Sequence, residues 1–233
     1  MVTKEHLVWD TEFFGLSIYM INVADYNVQE IEKSVDSAFD SGAELIYLII
    51  PEGIDKKEIF QTELIDQKVI FSKNINPFEF QIPEIVEFGG CSLPKKLYDI
   101  ALESGKYSRF KLDTKLPAGS YEKLYRKWIE KSVSGEIADK VLVYKEHGEI
   151  LGLITLKIKT DHGEIGLLAA DYSAQGKGIG SKLISAAEDC IVSHNLNIME
   201  VATQFNNDTA CRFYEKNGYR IKEVLNYYHI WKN

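Results

Sequence analysis

Residues 175–180 read QGKGIG and run directly into SKLISAAEDCI, where Ile179, Leu183, Ile184, Ala187 and Ile191 recur at helical spacing. A helix fixed to a sheet along that side turns its first amide groups outward. Gly176, Gly178 and Gly180 carry no Cβ, so the backbone can approach a ligand closely. Exposed N–H groups and the helix dipole then favour an anion, and a pyrophosphate fits. A second group follows one helix and one strand later. NNDTACRFYEKNGYR sets Asn207, Ala210, Tyr214, Gly218 and Tyr219 in the pattern N-x-x-A-x-x-x-Y-x-x-x-G-[FY]. Asn207 can cap a helix, and the Tyr214 phenol can donate a proton.

Two other phosphate-binding readings fail on spacing. A nucleoside-triphosphate loop ends in Gly-Lys-Ser/Thr, whereas Gly180 is followed by Ser181-Lys182. A dinucleotide fingerprint needs G-x-G-x-x-G after a parallel strand, and the glycines here are spaced G-x-G-x-G after an antiparallel meander. Gln175-x-x-Gly178-x-Gly180 followed by the asparagine-tyrosine pattern resembles the GNAT superfamily of acyl-CoA-dependent N-acyltransferases. The resemblance covers about residues 95–233, with Tyr172 standing where the family often has proline.

That resemblance implies acetyl-CoA as cofactor. Its diphosphate would lie on Gln175, Gly176, Lys177, Gly178, Ile179, Gly180 and Ser181, and its pantetheine arm along the backbone of Leu168, Ala169 and Ala170 as if it were another strand. Asn207, Ala210 and Tyr214 would line the arm further on. Transfer needs a neutral amine, donors for developing negative charge on oxygen, and a proton for the departing thiolate. The resemblance makes Tyr214 the general acid. Glu164, Asp171, Asp113 and His162 are base candidates by residue type, with water as the alternative. No metal is expected.

ESGKYSRFKLDTKLPAGSYEKLYRKWIEKSV and the early WDTEFFG are similar to the bacterial dTDP-fucosamine acetyltransferase group, whose members acetylate a dTDP-linked 4-amino-4,6-dideoxy sugar for surface polysaccharide such as lipopolysaccharide. A nucleotide-linked amino sugar is thus the expected acceptor; another small amine, a protein N-terminus, or acyl-CoA binding without transfer are the alternatives. Tyr107, Arg109 and Phe110 place two rings and a guanidinium within four residues, suited to stacking on a base or sugar and pairing with phosphate. The resemblance implies that the helix carrying Tyr125 and Arg126 roofs the acceptor cleft, with helix phase not separating the two, and Gln204 ends its strand at the cleft. Trp9, Phe13 and Phe14 are read as tying the N-terminal unit to the rest.

The elements that position these groups are legible as α/β with a GNAT fold, a mixed and mostly antiparallel sheet flanked by helices, behind a smaller N-terminal α/β unit. Residues 1–90 form the expected first domain and 91–233 the acetyltransferase domain. SIYMINV, VQEIEKSVDSAFDSG, ELIYLIIP, DKKEIFQTELIDQ and KVIFSKN read as strand, helix, strand, helix, strand. A proline-rich crossover spans 75–94. Two helices follow, the second with Ser120 as N-cap, and from residue 141 the order is β-β-β-α-β-α-β-β, closing on YRIKEV and YYHIW.

With 35 acidic and 27 basic residues among 233, the net charge of −8 argues against a broad nucleic-acid-binding face. No apolar run reaches the roughly 20 residues that cross a bilayer, and MVTKEHLVWD has no apolar signal core, so a cytoplasmic protein is expected. Cys91, Cys190 and Cys211 suggest reduced core residues. The expected partner is a small-molecule acceptor, with no nucleic acid and no membrane; a homodimer is possible, and the sequence leaves the oligomeric state open.

Overall fold

The protein is described by a computed structural model covering residues 1–25, 27–53, 64–76, 82–90 and 92–232. The elements are β1 (Val2–His6), α1 (Val8–Phe14), β2 (Ile18–Val23), α2 (Val28–Asp40), β3 (Leu45–Pro51), β4 (Leu64–Asn74) and β5 (Ile85–Glu87), then α3 (Lys95–Ser104), α4 (Arg109–Leu112) and α5 (Ser120–Val133). The chain continues through β6 (Lys140–Glu146), β7 (Glu149–Ile158), β8 (Gly163–Ala170), α6 (Ile179–Ser193), β9 (Ile198–Gln204), α7 (Asp208–Lys216) and β10 (Arg220–Trp231). The ten strands make one sheet in the order β1-β2-β3-β10-β4-β9-β8-β7-β6-β5. Only β2–β3 and β8–β9 pair in parallel among the described residues, so the expected mixed, mostly antiparallel sheet flanked by helices is what forms.

Local chemistry accounts for most of these elements. In α2 the Asn27 side chain accepts from the Glu30 amide, while Ile31, Val35 and Ala38 are buried. The apolar run of β3 is buried from Leu45 to Ile50 because helices cover both faces. On one face α2 packs on Ile46, Leu48, Ile50, Tyr228 and Ile230. The same face carries α6 and α7 over Val69, Phe71, Ile154, Ile165 and Val201. On the other, α1, α3, α4 and α5 enclose Leu45, Tyr47, Val143, Leu153 and Leu167. Phe14 of α1 stacks on Phe110 of α4 at 5.8 Å between centroids, and Lys131 of α5 lies 5.6 Å over the Trp9 ring, tying the N-terminal segment to the later helices.

Several expectations need correction. Residues 64–67, read as the end of a helix, open strand β4; the earlier part of that reading, 55–63, lies outside the described residues, as do Cys91 and part of the 75–94 crossover. The two closing strands are one, β10, whose pairing with β4 is irregular between Ile221 and Glu223. The N-cap of α5 is Gly119, at φ 77°, and Ser120 is the first helical residue. Cys190 and Cys211 are unpaired and half-buried. Strands on both sides of residue 90 alternate in the sheet, with β10 between β3 and β4, and β4 between β10 and β9.

The feature that makes a site is a split in the sheet. Strands β8 and β9 are in register only from Gly163↔Met199 to Ile165↔Val201. Beyond that β8 runs on to Ala170 and β9 to Gln204 without pairing to each other. A bulge starts the divergence: Gly166 and Leu167 stand opposite Thr155 alone, and the Thr155 hydroxyl accepts from the Leu167 amide at 2.8 Å.

Candidate active site

Above the split lies the start of α6. Gly176 and Gly178 both have φ 77°, where an L-residue is strained by roughly 1–2 kcal/mol, and a Cβ on either would point into open space. Gly178 is the N-cap, no side chain caps the helix, and no acidic residue sits in its first turn. These amides are free to hold an anion. Gly180 has a second constraint: a Cβ there would come 3.0 Å from the Phe213 ring, so this glycine also lets α6 lie close to Phe213 of α7. Gln175, Gly176 and Gly178 to Ser181 border a cleft of about 830 Å³, whereas the exposed Lys177 is not among its lining residues.

The same cleft passes through the split, along Leu168, Ala169 and Ala170 on one side and Val201 to Gln204 on the other. The Asn207 side chain caps α7, accepting from the Ala210 amide at 3.2 Å; both residues line the cleft. Tyr214 is 6% exposed and packed against Phe71, Phe213 and Tyr219. Its hydroxyl makes no hydrogen bond with the described residues, and the residue borders the cleft. Burial pushes the phenol pKa well up. Ordinary values already make proton transfer from a phenol (~10) to a thiolate (~8.5) uphill by about 2 kcal/mol, and burial adds to this. The environment keeps the phenol protonated and able to donate toward a sulfur anion.

Below the split, on the face covered by α3, α4 and α5, the cleft widens. Register places Asp66 opposite Tyr227, and Lys68 opposite both Leu225 and Gln204, so these side chains share that face. The Arg109 guanidinium carbon lies 4.2 Å from the Phe110 ring centroid, 4.6 Å from Tyr227 and 5.2 Å from Tyr47. It forms no ion pair with a carboxylate among the described residues. Tyr125 is buried beneath the end of α3, where a Cβ on Gly105 would collide with its ring, while Arg126 faces outward over Tyr98. Tyr107, half-buried, and Gln204 also border the cleft.

Two lining residues hold buried polar atoms with no hydrogen-bond partner among the described residues, Asp66 Oδ1 and Arg109 Nε. An orphaned buried group costs about 1–3 kcal/mol, so two beside one cavity mark a place built for a polar ligand. Asp66 was missed by sequence reading because its segment read as helical; the alternation of Asp66, Lys68 and Ile70 against Val69 and Phe71 was the available signal. Burial raises its pKa to about 6, opposed by the Arg109 charge and by the backbone N–H groups of Gln67 and Arg109. Lys68 is pushed down by burial and then by Arg109.

The four base candidates fare unequally. Asp171 is paired with Lys96 at 2.5 Å and caps Ser173, contacts that hold it ionised. Asp113 accepts from His229 and Trp231 and is away from the cleft lining. His162 lies 2.7 Å from Asp161 at the far end of β8. Glu164 alone borders the cleft, and it is paired with Lys159 at 3.2 Å.

A split parallel pair beneath a glycine-rich helix start, with a tyrosine of the next helix at the gap, is the arrangement of an acyl-CoA-dependent transferase. Residues 95–219 match the acetyltransferase (GNAT) family, and the chain belongs to that family. It is similar to the spore coat polysaccharide biosynthesis protein SpsD of Bacillus subtilis, 26% identical over 133 residues, 57% of this chain and 46% of that protein. It is also similar to the dTDP-fucosamine acetyltransferase of Escherichia coli, 28% identical over 130 residues, 55% of each chain. The matches thus span about half the length of these curated relatives. Among solved structures, a GCN5-related N-acetyltransferase from Sphaerobacter thermophilus superposes with TM-score 0.63 at 12% identity, over 99% of this chain and 76% of that one. A functionally unknown conserved protein from Staphylococcus epidermidis gives 0.65 at 10% identity, over 97% and 90%. These likenesses establish the fold.

The family's donor is acetyl-CoA, and the residues present fit it: uncapped amides for a diphosphate, an open strand edge for a peptide-like arm, and an unpartnered phenol at the gap.

Proposed function

We propose that the chain is an acetyl-CoA-dependent N-acetyltransferase acting on the amino group of a nucleotide-linked amino-deoxy sugar of the dTDP-4-amino-4,6-dideoxy type. Attack is direct, with donor and acceptor bound together. The observation that carries this reading is the continuity of one cleft from the start of α6, through the β8–β9 split, to the face bearing Arg109. Acetyl-CoA supplies the activated thioester. The amides of 176–181 hold its diphosphate, and Leu168 to Ala170 with Asn207 and Ala210 align its arm. Tyr214 donates a hydrogen bond to sulfur as charge develops there.

On the acceptor side Arg109, set among three rings and in no salt bridge among the described residues, suits a phosphate, while Tyr107, Tyr125 and Gln204 border the space for sugar and base. The names of the two relatives support a sugar acceptor of surface polysaccharide synthesis. Among the described residues no helix is long and apolar enough to cross a membrane. A cytoplasmic location is part of this proposal.

The test is thiol release from acetyl-CoA in the presence of dTDP-4-amino-4,6-dideoxygalactose. Turnover well above hydrolysis is expected, with initial-rate lines that intersect when both concentrations are varied. No turnover with the sugar, against turnover with another amine in a panel of free amino sugars and peptides, would remove the acceptor assignment. Acetyl-CoA binding by calorimetry with no thiol release from any amine would mark a binding module.

A further inference from the structure

We infer that Asp66 receives the acceptor's ammonium group in the cleft and takes a proton from it, making a carboxylate of β4 the base of the reaction. The inference rests on the acetyltransfer reading above and extends it to a residue outside the segment that matches the family model.

Asp66 is 5% exposed, borders the cleft, and keeps Oδ1 without a hydrogen-bond partner among the described residues. An aspartate so buried with a vacant oxygen is costly unless a donor arrives, and a protonated amine brings a charge-assisted one. Its position is fixed by the sheet. Asp66 stands opposite Tyr227 on β10, two residues before Lys68, which stands opposite Gln204 at the mouth of the split. The carboxylate is therefore on the acceptor face of the sheet, lining the same cleft that Tyr214 borders.

The charged and titratable groups around it are Arg109 from α4, Tyr125 from α5, Tyr227 from β10, Lys68 on its own strand, and Glu164 from β8 beyond Lys68. Burial holds Tyr125 and Tyr227 protonated. Burial also lifts Asp66 to about 6 against the pull of Arg109, which leaves it ionised at neutral pH yet a stronger base than an exposed aspartate.

The step balances as follows. One N–H bond of the ammonium breaks and its proton goes to Asp66 Oδ1. The freed nitrogen pair forms the N–C bond while the C–S bond breaks, its electron pair leaving on sulfur. The nitrogen then loses a second proton, which ends on sulfur as the thiol, and Asp66 returns its own proton to water.

The experiment compares wild type, Asp66→Asn and Asp66→Glu. Thiol release is followed from pH 5 to 10 with dTDP-4-amino-4,6-dideoxygalactose, and in parallel with a panel of simpler amines. We expect wild-type kcat/KM to fall below pH about 6, the Asp66 value. At pH 7, Asp66→Asn should lose about 10²–10⁴-fold, lack the acidic limb, and recover as pH rises and the amine deprotonates unaided. Asp66→Glu should restore part of the rate. Acetyl-CoA affinity by calorimetry should stay within about twofold, showing the fold intact. An Asp66→Asn rate within about threefold of wild type, or an acidic limb that survives the substitution, overturns the inference. Turnover of another amine but not of the sugar nucleotide sinks the acceptor assignment alone, and the Asp66 comparison is then read on that amine. Absence of turnover with every amine sinks both.

Discussion

Asp113 Oδ2 lies 2.5 Å from His229 Nδ1 and 3.1 Å from Trp231 Nε1, so the residue that ends α4 accepts two hydrogen bonds from the last strand. Four residues earlier, α4 carries Arg109. The clamp therefore sets the guanidinium over Tyr47 and Tyr227 as well as joining α4 to the sheet.

Replacing Asp113 with Ala leaves two buried N–H donors without an acceptor and should destabilise the protein by about 2–5 kcal/mol, read as a lower urea midpoint. Burial holds the His229 imidazole below its ordinary range, so it is neutral at pH 7. The unfolded chain then binds more protons as pH falls through ~6.5, and stability drops with it. Asp113 is held low by its partners against burial, and its contribution disappears at still lower pH. Wild-type stability should decline from about pH 6.5 downward. His229→Gln should flatten the upper part of that decline.

Tyr214→Phe removes the phenol hydroxyl that α7 brings to the split. Its kcat should fall about 10²-fold while acetyl-CoA affinity by calorimetry stays unchanged. An unchanged kcat would take Tyr214 out of the chemistry.

The loop glycines should separate by mechanism. Gly178→Ala strains a residue at φ 77° in open space and should weaken acetyl-CoA binding about tenfold with little loss of stability. Gly180→Ala presses on the Phe213 ring at 3.0 Å and should cost about 1 kcal/mol of stability. Combining it with Phe213→Leu should recover much of that loss.

Arg109→Ala should raise the KM for the sugar nucleotide about 10–100-fold and leave acetyl-CoA affinity intact. Arg109→Lys should restore little, because an ammonium does not reproduce a planar guanidinium stacked among Phe110, Tyr227 and Tyr47.

A fragment of residues 91–233 should fail to fold cooperatively. It lacks β3 and β4, the two neighbours of β10, and β4 also supplies the partner of β9. A sharp urea transition in the fragment would show that the division at residue 90 is a true domain boundary.

What could be read from the chain was whatever local periodicity determines. The run from β6 to α7 has alternating or helical apolar spacing and turn glycines, so its elements fall where the pattern puts them. Leu64 to Gln67 failed because four residues are too few to show a period of their own; their strand state comes from the β10 ladder. The same failure concealed Asp66. Sequence motifs led to Gly178, Asn207 and Tyr214, but Gly180's role against Phe213 depends on two helices meeting and leaves no mark in either motif. Tyr125 and Arg126 were separated only by burial, since helix phase alone is ambiguous for neighbours at the edge of an apolar stripe.

The central claim is that one cleft holds both substrates across the split between β8 and β9, and a crystal structure with coenzyme A and the dTDP-linked amino sugar tests it most directly. We expect the diphosphate on the amides of residues 176–181, sulfur beside the Tyr214 hydroxyl, and the sugar amine beside Asp66. Coenzyme A bound elsewhere, or the two ligands in separate cavities, would contradict the account.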